Sequence, residues 1–223
     1  MRSIQRLVTL GAAVAALVAL GACSRPAQEP STATDIPPVP TVAASGPMTP
    51  PPAPGSTTAA DVFGPDCSGL PGGDDPGSLS SMSLAPIAGA IESNPQLTTM
   101  AALIGRANLT ETFNAAPGIT LFAPTNNAFD KLPPDQLAAL QADPAKLATV
   151  MQYHASGTRQ TADELRRAGS STELAGGTVQ IGGSGDQMTV AGGSGTSANV
   201  LCGNIPTGNG TLFIIDSVLL PQS

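Results

Sequence analysis

The stretch TLFAPTNNAFDKLP, residues 120–133, changes conformational preference halfway along. Thr120, Leu121 and Phe122, with Gly118-Ile119 ahead of them, read as a short buried strand. Ala123-Pro124 ends it, because proline has no N–H to give to a strand ladder. Thr125 follows, placed so that its hydroxyl can accept a free amide hydrogen in the first turn of a helix. Phe129 falls on that first turn, four residues after Thr125, where it can fold back into a core. Asn126 and Asn127 are expected to bond local backbone at the corner.

Helix signals dominate the chain around this strand. Asn94-Pro95 reads as an N-cap followed by proline at the first helical position. Leu97, Met100, Ala101 and Ile104 then follow at i, i+3, i+4 and i+7, one apolar stripe. Asp143-Pro144 repeats the start signal, and Leu147, Val150, Met151 and His154 repeat the stripe. Thr161 to Glu164 is a capping box, and Gly169 is its stop.

Strand signals dominate later. TVQIGG (178–183) and QMTVAG (187–192) alternate and are punctuated by glycine. SANVLCGN (197–204) and GTLFIIDSVLLP (210–221) are apolar on both faces. Helices first and strands later, with one early strand, predict an α+β domain. The early strand must travel to join the late ones. The terminal strand is too apolar for an exposed edge, which places it inside the sheet. Asp216-Ser217 interrupts it, as a bulge or an inward carboxylate holding backbone N–H groups would.

TLFAPTNNAFDKLP, MQYHASG (151–157) and NGTLFIIDSVLLP (209–221) occur in this order, and together they resemble the fasciclin domain. The first is similar to that family's strand–Ala-Pro-Thr–helix motif, Tyr153-His154 to its Tyr-His motif, and the third to its closing strand. The resemblance covers roughly residues 85–221. It implies a single fasciclin domain, with helices packed on a twisted β-sheet wedge, and a role in adhesion rather than catalysis. It also makes Tyr153 and His154 candidate partner-binding residues. Their neighbours Gln152, Ala155 and Ser156 differ from the bulky aliphatic ones of vertebrate members, which weakens any carry-over of integrin binding.

The amino terminus carries a different signal. Arg2 and Arg6 precede an apolar run from Leu7 to Ala22. A membrane-spanning helix needs roughly 20 consecutive apolar residues. This run is shorter and diluted by Gly11, Gly21 and many alanines. A basic start, an apolar middle and a small-residue end are the pattern of a secretory signal peptide, residues 1–22. Leu20-Gly21-Ala22-Cys23 resembles a bacterial lipobox. That implies cleavage before Cys23 and acylation of its thiol, through a diacylglycerol whose chains include palmitate; the alternative is an ordinary signal peptide with a chance cysteine. Two acyl chains would hold the chain firmly on the outer face of the membrane. Residues 23–60 are then a lipid-anchored, disordered linker, because their prolines favour polyproline II and deny the backbone ladder donors. Thr49, Thr57 and Thr58 are candidate O-glycosylation sites in it. The folded domain is expected over residues 61–223.

With Cys23 acylated, Cys67 and Cys202 remain, and an exported setting lets them pair; two free buried thiols are the alternative. The whole layout is similar to the mycobacterial-type surface lipoprotein antigens and their freely secreted relatives.

Charge and composition exclude several functions. The net charge is −7, and removing Arg2 and Arg6 with the signal peptide makes it −9. Such a chain offers no basic stripe for nucleic acid, nor charge for anionic lipid. A Ser-His-Asp site would have to use His154, the single histidine, and no G-x-S-x-G elbow accompanies it. A catalytic zinc site needs several His or Cys ligands, so no metal and no cofactor is expected. GSGTSA (193–198) lacks the helix a dinucleotide turn requires and reads as a hairpin loop. Asp74-Asp75 reads as a solvated turn.

The function expected is therefore non-enzymatic display at the cell surface. The partners expected are the membrane through the lipid anchor and an extracellular protein or glycan, with host receptors included. The lipid end would be open to Toll-like receptors, as bacterial lipopeptides are. A rival is a carrier holding an apolar envelope lipid in a groove lined by Met100, Met151 and Phe213.

Overall fold

The computed structural model describes residues 55–222. The signal peptide, Cys23, Thr49 and most of the linker lie outside them. The helices are α1 (Leu79–Leu84), α2 (Ile87–Ser93), α3 (Thr98–Arg106), α4 (Thr110–Ala115), α5 (Asn126–Asp130), α6 (Pro134–Ala142), α7 (Pro144–Tyr153) and α8 (Ala162–Ala168). The strands are β1 (Ile119–Pro124), β2 (Ala155–Ser156), β3 (Ser170–Thr172), β4 (Thr178–Ser184), β5 (Gln187–Ala191), β6 (Ser197–Pro206) and β7 (Gly210–Ile215).

Local chemistry sets several of these boundaries. The Thr125 hydroxyl accepts the Ala128 amide at 3.2 Å and opens α5. Asp143 Oδ1 accepts from the Ala145 and Lys146 amides and opens α7. Thr161 and Glu164 form the reciprocal capping box of α8, and Gly169, at φ +70°, closes it. Asn94 departs from expectation. It does not open α3; it ends α2, giving its amide to the Ile91 carbonyl. It is fully buried, and its Oδ1 takes the Gln96 amide at 2.9 Å. The chain needs that turn before α3 can start at Thr98.

The strands form one sheet in the order β2-β1-β7-β6-β5-β4-β3. β1 and β7 are parallel, from Ile119 opposite Gly210 to Pro124 opposite Ile215. The remaining pairs are antiparallel. The early strand therefore does travel to the late ones, and β7 sits inside the sheet. The loop Gly192–Thr196 is a hairpin between β5 and β6, closed by Gly192 N–H to the Thr196 carbonyl at 2.7 Å.

Side chains alternate across the sheet. Leu212 and Ile214 of β7 join Ile119 and Leu121 of β1 in one apolar cluster with α2, α3, α4 and α7. Phe213 and Ile215 join Phe122 on the other face, with Leu165 of α8 and Val179, Met188 and Val190 of the later strands. The Phe122 and Phe213 rings lie 5.5 Å apart. Burying each such side chain stabilises by about 1.5–3 kcal/mol.

The packed chain reaches back ahead of Asp61. Gly55 is buried, and its carbonyl accepts the Thr211 hydroxyl at 3.3 Å. Cys67 and Cys202 are joined by a disulfide that spans 135 residues, which settles the question of free thiols. Beside it, Phe63 and Gly203 exchange both backbone hydrogen bonds. Together they pin the amino-terminal segment to β6. Closing so long a loop removes denatured-state entropy worth roughly 4–5 kcal/mol in chain-entropy terms.

Candidate functional site

α7 ends at Tyr153, and His154 caps it. The imidazole is fully buried. Its Nδ1–H donates to the Val150 carbonyl at 2.8 Å, and its Nε2 accepts the Leu219 amide at 3.0 Å. Its own carbonyl accepts the Phe122 amide at 2.8 Å. One residue thus ties α7, β1 and the carboxy-terminal segment. Burial pushes its pKa down to about 4, only partly offset by the bond to Val150. Neither ring nitrogen is free to take a proton from a substrate.

Tyr153 is buried beside it. Its hydroxyl donates to the Thr178 carbonyl at 3.1 Å and accepts the Gly193 amide at 2.7 Å. It thereby holds the start of β4 to the β5–β6 hairpin. Gly177 lies against the ring: a Cβ there would stand 2.3 Å from Tyr153 Cε2. The two candidate partner-binding residues are brought together, with both side chains sealed from solvent. A part in partner binding would be indirect, through the surface they hold in place.

The corner after β1 is more exposed. Asn126 does not bond locally as expected. Its Oδ1 accepts the Thr99 amide at 2.9 Å, and its Nδ2 donates to the Pro95 carbonyl at 3.0 Å. It supplies the cap that Leu97, at the N-cap of α3, cannot. Asp216 lies just past β7. Its two oxygens accept from the Asn199 amide and the Asn199 side chain at 2.8 and 2.9 Å. Partial burial alone would raise its pKa, but the bonds from Asn199 and Ser217 and the charge of Lys131 hold it below the usual carboxylate range. Lys131 donates to the Asp216 carbonyl at 2.7 Å. Asn126, Asn127, Lys131 and Asp216 open onto a surface depression of about 620 Å³.

Three further asparagines do work that local sequence does not announce. Asn209 accepts the Ile87 amide at the start of α2 and donates to the carbonyls of Phe113, Asn114 and Ala116 at the end of α4. Asn114 accepts the Ala88 amide. Asn204, at φ +58°, accepts the Ala162 amide of α8 and donates to the Asp61 carbonyl. Their partners lie far off in the chain, so only their position before or after an element could have hinted at them.

Two expectations change. Met100 and Met151 belong to the helix-side cluster and Phe213 to the opposite one, all three fully packed. They lie on opposite faces of the sheet, so they line no common groove. Thr57 is buried, which leaves its hydroxyl out of reach of a glycan, whereas Thr58 is exposed and bonded to Asp61. Among the described residues no cluster of His, Cys, Asp or Glu could hold a metal ion.

A mixed sheet sealed by the Tyr-His pair and helices defines a domain class. Residues 95–221 match the Fasciclin domain family, and the chain belongs to it. Over 173 residues it is 36% identical to the immunogenic protein MPB70 of Mycobacterium bovis, covering 74% of this chain and 85% of that one. Over 189 residues it is 34% identical to the cell surface glycolipoprotein MPB83 of the same species, covering 79% and 82%. Human periostin is 34% identical over 133 residues, covering 60% of this chain and 15% of periostin.

Proposed function

We propose that the chain is a lipoprotein anchored through acylated Cys23 to the outer face of the cell membrane. Its fasciclin domain is displayed for adhesion or for contact with extracellular matrix or a host surface, and it catalyses no reaction. One observation carries this function. The polar atoms of the motif residues, in Thr125, Asn126, Tyr153, His154 and Asp216, are spent on this chain's own backbone and side chains. The motif builds a surface and leaves no group poised for chemistry. The likeness to a cell surface glycolipoprotein supports the location. Thr49 and Thr58 remain the candidate glycan acceptors.

Two measurements test it. Cells fed an alkyne palmitate should label the wild-type protein and leave Cys23→Ser unlabelled. Beads coated with the full chain should attach to host cells or matrix above beads coated with a stalk peptide alone. Equal attachment of the two would end the adhesive function.

A further inference from the structure

Asn209-Gly210 is the one Asn-Gly pair in the chain. Such a pair is chemically labile. The peptide nitrogen that follows an asparagine can attack the side-chain carbonyl carbon, and glycine, having no Cβ, leaves that approach open. Both residues are nevertheless required where they stand.

Gly210 opens β7 against β1. A Cβ on it would stand 2.4 Å from the Ile119 carbonyl oxygen and 2.6 Å from Ile119 Cγ2, so no larger residue fits. Asn209 precedes it in the turn between β6 and β7. Its Oδ1 accepts the Ile87 amide at 2.8 Å. The hydrogens of its Nδ2 are shared among the carbonyls of Phe113, Asn114 and Ala116 at 2.8, 3.2 and 3.0 Å. A side chain of this length combines an acceptor with two donors only as an amide. The backbone of the pair is also engaged. The Asn209 carbonyl accepts the Ile119 amide at 3.2 Å, and the Gly210 carbonyl accepts the Thr207 amide at 3.0 Å.

Attack on Cγ turns a planar amide carbon tetrahedral and expels its nitrogen. In the folded domain the bonds from Nδ2 to the three carbonyls must break for that to happen, and the bond from the Ile87 amide must turn. The unfolded chain has none of these restraints.

We propose that Asn209 is a deamidation site that folding closes. In the unfolded chain the Gly210 nitrogen bonds to Asn209 Cγ. Its proton passes to the departing nitrogen, which leaves as ammonia, and a cyclic imide remains. Water then adds to either imide carbonyl and opens the ring to aspartate or isoaspartate.

Each product removes the side-chain donors. A carboxylate has no hydrogen to offer, and it faces three carbonyl oxygens that have lost a donor, which is costly at a part-buried position. Isoaspartate also routes the chain through the former side chain. That lengthens the turn by a methylene and converts the carbonyl that took the Ile119 amide into a free carboxylate. The first bond between β1 and β7 is then lost. A chain that dwells unfolded is marked in this way and does not regain the link between α2 and the end of α4.

The test keeps the full-length protein in mildly alkaline buffer, with and without denaturing guanidinium chloride, and follows each asparagine by peptide mass spectrometry. In denaturant Asn209 is expected to react before every other asparagine. In the folded protein it should react more slowly by about tenfold or more. Asn209→Gln, whose longer side chain closes such a ring poorly, should lose the fast reaction in denaturant. On removal of denaturant only the unreacted chains should recover the native melting transition, and Asn209→Asp should melt below wild type or fail to fold. Four results would overturn the proposal: equal rates at Asn209 in folded and unfolded protein, another asparagine reacting first in denaturant, the native melting transition recovered by chains fully deamidated at 209, or Asn209→Asp as stable as wild type.

Discussion

His154 Nε2 accepts the Leu219 amide at 3.0 Å, a bond across 65 residues. It fastens the carboxy-terminal segment to the end of α7. His154→Ala removes this bond, the one to Val150 and the volume of the ring. The expected loss of stability is about 3–4 kcal/mol, read from urea unfolding. The pH profile separates the ring's charge from its bulk. Its folded pKa, about 4, lies below its ordinary value of 6.5, so the folded state resists protonation. Stability is whole above pH 6.5 and falls as the pH drops towards 4. His154→Ala should lose that part of the acid slope; an unchanged slope would show that another group titrates.

Glu173 gives the opposite slope. It is 3% exposed, and neither carboxylate oxygen has a hydrogen-bond partner among the described residues. Burial raises its pKa to about 8, against the opposing pull of the nearby Ser171. The unfolded chain releases this proton near 4.5 and the folded chain near 8, so stability declines as the pH rises between them. Glu173→Gln should flatten that decline and stabilise at pH 8 by about 1–3 kcal/mol. A variant less stable than wild type at pH 8 would contradict this assignment.

Asn209 joins α2 to the end of α4 through four hydrogen bonds. Asn209→Ala should cost about 2–4 kcal/mol, because it strands buried backbone groups of two helices at once. Asn127→Ala, at an exposed position of the corner, should stay within about 0.5 kcal/mol. Thermal melts of the two variants give the comparison, and similar shifts would refute it.

Replacing Cys67 and Cys202 together by serine releases the amino-terminal segment from β6. A loss of roughly 4–5 kcal/mol is expected on chain-entropy grounds. Hydrogen exchange should rise first around Phe63, whose amide is bonded to Gly203. Uniform exchange across the domain would argue against local release.

The sequence carries what is local. Thr125, Asp143 and Thr161 each cap a helix a few residues away, and each is read correctly from spacing. The apolar faces of β7 place it inside the sheet for the same reason. Asn94 misleads because the helix it serves lies behind it. Asn126 and Asn209 are invisible because their partners are brought near only by the finished fold. Glu173 looks like an exposed turn carboxylate until packing removes it from water.

The parallel pairing of β1 with β7 has a consequence for how the molecule comes into being. β7 is made after every other strand of the sheet, while its neighbour β1 is made first and until then has only the two-residue β2 to pair with. Contacts so distant in sequence form slowly. A nascent chain stopped before residue 210 has both flanks of the sheet and nothing to zip them together. Such a polypeptide is expected to complete its sheet only after β7 has been made.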